Sequence, residues 1–248
     1  SHSYEPTPSD IIEIENADLF FYVSEHTETW VTQITSSLKN KKVETVCLAD
    51  GIGIEVHDHN HSEHHAHDHS DECTTDEHIW TNLEYASDMV DFLGEKIAEK
   101  DTANKEFYLE NAKEYKNKIL GLKADFEKMI SSSKRKKIVS GSRFAMKNFT
   151  NEFGLDFTAA FDSCVDNTEP SAAVMAKITD KIKSENIPVI FYEELTEPKI
   201  ARAVSLETGA KMLLLHSCHN VSSEELENGE TYLSLMTQNY NNLKEALN

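Results

Sequence analysis

The sequence predicts an α/β protein of two lobes, with parallel-type sheets flanked by helices and one long rigid linker helix joining them. Three observations predict it. A length of 248 residues holds one large domain or two ordinary lobes, each able to bury a core. An unbroken amphipathic stripe occupies the middle of the chain. The second half alternates strand-like and helix-like segments, the pattern of a parallel sheet covered by helices.

The elements follow in order. Ser9 reads as a helix cap ahead of Ile11, Ile12 and Ile14, and Leu19 to Val23 as a short buried strand. Trp30, Ile34 and Leu38 recur every four residues, a helix with one apolar face, and Val43 to Leu48 is a second strand. From His57 to Asp76 the run HDHNHSEHHAHDHSDECTTD has almost nothing to bury, so a mobile loop is expected there. Asn82 reads as the cap of a helix carrying Ala86, Met89, Val90, Leu93 and Ile97.

Tyr108, Ala112, Tyr115, Ile119, Leu122, Phe126 and Met129 mark one stripe over residues 102–132. At roughly 1.5 Å per residue that helix is about 45 Å long, enough to link two lobes. Beyond the basic turn at 134–137, strands are expected at 138–140, 157–161, 188–192 and 211–216, and helices at 144–153, 171–185, 198–208 and 230–247. The lobes are then 1–101 and 134–248, with the linker helix at 102–133.

Charge and composition exclude several functions. Hydrophobic residues at 39% and charged residues at 27% fit a folded chain, not a disordered or membrane-embedded one. A net charge of -20 repels phosphate backbones, so nucleic acid is not an expected partner. No eighteen-residue apolar run occurs, and the first residues lack a signal-peptide pattern. The four cysteines, Cys47, Cys73, Cys164 and Cys218, are too sparse for a disulfide scaffold; a Cys164–Cys218 bridge and free thiols both remain open, as does Cys47–Cys73.

The chemistry lies in the histidines. Seven of twelve, His57, His59, His61, His64, His65, His67 and His69, fall in the acidic run, where imidazoles and carboxylates bind several divalent ions weakly. A tight site needs histidines on separate rigid elements. His2, His26, His78, His216 and His219 are the remaining candidates. His78 precedes a helix, and His216 and His219 follow a strand, where open sheets gather their ligands. His26 reads as a solvated surface residue.

These residues carry a resemblance. HSYEPTPSDIIEIENADLFFY, DEHIW, DTANKEFYLENAKEYKNKILGLKADF and TYLSLMTQNYNNLKEAL look like the zinc- and manganese-specific substrate-binding proteins of ABC transporters, over essentially the whole chain. The resemblance implies one metal in the cleft between the lobes, with His2 and His78 as the first two ligands. The family's third ligand, a histidine, falls on Arg143, which cannot bind a cation. For the fourth, His216 takes the place of an acidic residue, with His219 as the alternative. Glu194 matches a family glutamate and would either bind metal or pair with Arg143. The family's opening strand and helix, which precede the His-x-Tyr-Glu-Pro motif, have no counterpart in this sequence.

The implied function is an extracytoplasmic receptor that delivers Zn2+ to the membrane permease of an ABC transporter. It would be a monomer at the cell surface as a lipoprotein, or in the periplasm. Nitrogen-rich donors favour zinc over manganese, whose sites favour oxygen. The alternatives are a manganese-binding member, a metal store or chaperone, and a surface adhesin. A zinc hydrolase is the least favoured, since HExxH, a nucleophile elbow and a phosphate-cradling loop are all missing from the sequence.

Overall fold

The computed structural model describes residues 4–26, 28–38, 42–56, 76–161 and 172–248. The chain divides into two compact units: Ser1–Ile79 with Glu84–Asn117, and Trp80–Leu83 with Lys118–Asn248. The division falls within the long helix rather than at its ends.

In the first unit, helix α1 (Pro8–Asn16) starts two residues earlier than a cap at Ser9 would set it. Thr7 is the cap: its hydroxyl accepts the Asp10 N–H, while the Asp10 carboxylate accepts the Thr7 N–H at 2.7 Å. Pro8 supplies a preset φ at the first helical position. Strand β1 (Leu19–Tyr22) pairs in parallel with β2 (Glu44–Cys47), Leu19 opposite Glu44 and Tyr22 opposite Cys47. Between them α2 (Trp30–Ser37) buries Val31 and Ile34, and a single turn, α3 (Leu48–Gly51), follows β2.

Helix α4 (Leu83–Lys100) begins directly after Asn82, and α5 covers Lys105–Ser132. Residues 102–104, expected within that helix, form a separate 3-10 turn. Asp101 draws it out, accepting from the Asn104 side chain at 2.8 Å and the Tyr108 hydroxyl at 3.0 Å. Gly94 lets α4 and α5 approach closely, since a Cβ there would lie 2.5 Å from that of Ala112.

The second unit holds a four-stranded parallel sheet, β3 (Lys137–Ser140), β4 (Asp156–Ala159), β5 (Val189–Tyr192) and β6 (Lys211–Leu214), in the order β4-β3-β5-β6. Val189, Ile190 and Phe191 are all buried although successive side chains face opposite ways, so helices cover both faces. On one face Val139, Ile178, Ile182, Ile190, Ala201 and Val204 form a continuous core with α7 (Ala172–Glu185) and α8 (Lys199–Thr208). Phe126 anchors another cluster, its ring 5.1 Å from Phe149 and 5.4 Å from Tyr240.

Helix α6 (Lys147–Phe153) starts three residues later than the sequence suggests, leaving 141–146 as the connection from β3. After β6 come α9 (Ser223–Glu227) and α10 (Tyr232–Leu247). No helix among the described residues is long and apolar enough to cross a membrane.

Candidate metal centre

His78, in the first unit, stands just before the 3-10 turn Ile79–Thr81 and is 1% exposed. Its Nδ1 lies 2.6 Å from Asp76 Oδ1, and the same oxygen accepts the His78 backbone N–H at 3.0 Å. Asp76 is also buried. An ionised carboxylate only accepts, so the neutral ring keeps its proton on Nδ1 and its lone pair on Nε2. That is the tautomer of a metal-ligating histidine, with the carboxylate fixing the ring and raising the basicity of the donor.

In the second unit the loop His216–His219 follows β6 and is gripped from three sides. The buried Asn239 side chain of α10 accepts the His216 N–H at 2.8 Å and donates to the His216 carbonyl at 2.8 Å. Glu194, after β5, accepts the Ser217 N–H at 2.9 Å with one oxygen and the Ser217 hydroxyl with the other. Trp80, which belongs to this unit, donates its indole N–H to the Ser217 carbonyl at 2.9 Å. Its own carbonyl accepts the Tyr232 hydroxyl at 2.8 Å.

His216 is fully buried and its Nδ1 accepts the Cys218 backbone N–H at 2.9 Å. A backbone N–H only donates, so Nδ1 is bare and a neutral His216 carries its proton on Nε2. That nitrogen has no hydrogen-bond partner; Glu225 Oε1, at 3.5 Å, is within ion-pair range but beyond an ordinary N–H···O bond. Glu225 is held below the usual carboxylate range by the Ser222 backbone N–H and hydroxyl, and to a lesser extent by His216.

His219 is half-buried. Its backbone N–H donates to Ser217 Oγ at 3.2 Å, and its ring lies 5.3 Å from that of Trp80. Cys218, between the histidines, adopts a left-handed φ of 58°. Burial pushes its thiol well above the ordinary range, with Glu194 and Glu225 adding to the shift.

The remaining candidates are placed differently. Glu194 accepts from Ser217 with both oxygens, and His216 Nδ1 stands 3.9 Å from its Oε1. Arg143 sits in the connection after β3, beside Ser140, Tyr192 and Ser217. The exposed His26 lines a first-unit cavity of about 360 Å³ with Tyr22, Cys47, Asp50 and Glu55. Tyr22 is pushed up to about 12 there, by burial first and then by Cys47, Glu25 and Asp50.

His2, the histidines from His57 to His69, Cys73 and Cys164 lie outside the described residues. Cys47 and Cys218 carry free thiols. Among the described residues no three His, Cys, Asp or Glu side chains converge closely enough to hold a metal ion. Sequence reasoning assigned Asp76, Ser217, Trp80 and Asn239 no individual roles. Asp76 and Trp80 had a local signal, two residues before and two after His78 in the run DEHIW.

Parallel α/β units, with a carboxylate-held histidine in one and a histidine loop after the last strand in the other, define the class of metal-binding solute receptors. The chain belongs to the family of the zinc-uptake complex component A, periplasmic, whose model matches residues 1–246. It is 34% identical over 247 residues to the high-affinity zinc uptake system protein ZnuA of Bacillus subtilis, covering 99% of this chain and 77% of that protein. It is 30% identical to the zinc-binding lipoprotein AdcA of Streptococcus pneumoniae over 99% of this chain, but spans only 49% of AdcA.

Among solved structures, the metal-dependent lipoprotein YcdH of Bacillus subtilis matches with a TM-score of 0.81 at 31% identity, covering 99% of this chain and 86% of that one. The Zn(II)-bound ZnuA-like domain of Streptococcus pneumoniae AdcA matches with a TM-score of 0.78 at 27% identity, over 99% and 86% of the two chains.

Proposed function

We propose that this chain captures zinc on the outer side of the cell membrane and delivers it to the membrane permease of an ABC-type uptake system, working as a monomer tethered to or near that membrane. The observation that carries the reading is the buried Asp76–His78 pair, which holds an imidazole in the tautomer that binds a metal. The names of the relatives, zinc uptake protein and zinc-binding lipoprotein, support zinc as the cargo.

The ligand set proposed is His78 and His219, with His2 as a further nitrogen donor. His219 is preferred to His216 because the Cys218 N–H occupies His216 Nδ1 and leaves the proton on Nε2, which must be lost before that nitrogen binds a metal. Arg143 stands where the resemblance implies a histidine and brings no donor lone pair. The histidines from His57 to His69 are proposed as weak, exchanging sites that gather zinc without defining the tight one.

Competition of the metal-free protein against a zinc chelator tests the reading. One ion bound far more tightly than the rest is expected, with His78→Ala weakening it by orders of magnitude and His26→Ala leaving it intact. Several ions of similar affinity would instead make the chain a metal store.

A further inference from the structure

Glu194 makes its hydrogen bonds to Ser217, while His216 Nδ1, which accepts the Cys218 N–H, stands 3.9 Å from Glu194 Oε1 and beyond hydrogen-bond reach. Glu194 is 9% exposed, and both its oxygens accept from a single residue, the backbone N–H and the hydroxyl of Ser217. A hydroxyl donates one proton only. Given to Glu194, that proton leaves the Oγ lone pairs to accept the His219 backbone N–H at 3.2 Å. The chain of bonds therefore has one direction, from His219 N–H to Ser217 Oγ–H to the Glu194 carboxylate, and each bond polarises the next.

The other Ser217 group is taken as well, its carbonyl accepting from Trp80, whose ring lies beside the His219 imidazole. Asn239 holds the backbone of His216 at the start of the loop. Cys218 is thereby kept in its left-handed conformation, which turns the chain between the two histidines. An anchor that is buried and two hydrogen bonds from the His219 backbone fixes where that residue stands.

We infer that Glu194 is a positioning residue of the metal site, which sets His219 through Ser217 and does not itself bind the ion. The inference rests on the proposed reading of His219 as a zinc ligand. A Gln at 194 keeps the shape but presents an amide NH2 where one of the two Ser217 donors now finds an oxygen, so the relay breaks.

The test measures zinc affinity together with the visible absorption of the cobalt-substituted protein, which reports donor type and coordination number. Glu194→Gln and Ser217→Ala are each expected to weaken zinc binding about 10- to 100-fold, the usual loss for an outer partner of a ligand. At saturating cobalt their spectra should match that of the unaltered protein. Ser217→Thr, which retains the hydroxyl, is expected to restore affinity, and the double variant Glu194→Gln/Ser217→Ala should be no worse than the weaker single one.

A cobalt spectrum altered by Glu194→Gln would make Glu194 a ligand and overturn the inference, as would unchanged zinc affinity or additive losses. Should Glu194→Gln fail to fold, Ser217→Ala and Ser217→Thr carry the test alone. His219→Ala separates the two levels. If it weakens zinc binding while Glu194→Gln and Ser217→Ala do not, only the positioning role falls; if it has no effect, His219 is not a ligand and both fall.

Discussion

Removing the Asp76 carboxylate isolates what the second residue of the His78 pair contributes. Asp76 Oδ1 accepts two N–H groups, from the His78 backbone at 3.0 Å and from its Nδ1 at 2.6 Å, and both residues are buried. In Asp76→Ala both donors lose that acceptor where little water can replace it, and the ring loses the partner that fixes its tautomer. Loss of such a partner weakens a metal site about 10- to 100-fold, which is about 1.4 to 2.7 kcal/mol. Asp76→Asn keeps an accepting oxygen without the charge and should fall between the unaltered protein and Asp76→Ala. Chelator competition at fixed pH reads the order directly. Asp76→Ala binding zinc as tightly as the unaltered protein would refute the argument that the carboxylate prepares His78.

His219→Ala should lower zinc affinity while leaving the thermal stability of the metal-free protein nearly unchanged. His216→Ala should do the reverse, costing about 1–3 kcal/mol of stability because the part-buried Cys218 N–H loses its acceptor; a larger zinc effect at His216 would return the ligand to that residue. Phe126→Ala removes the ring packed on Phe149, Phe153 and Tyr240 and should cost about 3–5 kcal/mol, read as a lower urea midpoint with an unchanged slope.

The second unit was nearly legible in the sequence because its strands are short runs with mainly apolar residues, set apart by helices of ordinary length. Isoleucines and valines at 138–139 and 189–190 announce strands buried on both faces. Helix starts were less legible. Thr7 competes with Ser9 as a cap, and only the bond between Thr7 and Asp10 decides. Helix α9 was missed although Ser222 and Glu225 form a capping box, because five residues carry no period to detect.

The candidate site was legible at His78, where an acid stands two residues away, and much less so in the loop after β6. His216 and His219 are equally good donors by residue type. What distinguishes them is the Cys218 N–H on His216, and the grip of Asn239, Glu194 and Trp80 on the residues between. Asn239, Glu194 and Trp80 lie 23 or more positions from the residues they hold, so no local pattern could have revealed them.

Zinc K-edge absorption on the protein carrying one equivalent of zinc tests the central claim most directly, because it reports donor atoms and bond lengths without a crystal. The account predicts a shell dominated by imidazole nitrogen at about 2.0–2.1 Å, with the outer-shell scattering of at least two histidines, and loss of one of them in His78→Ala. A first shell of carboxylate oxygen without imidazole scattering, or sulfur at about 2.3 Å, would contradict it.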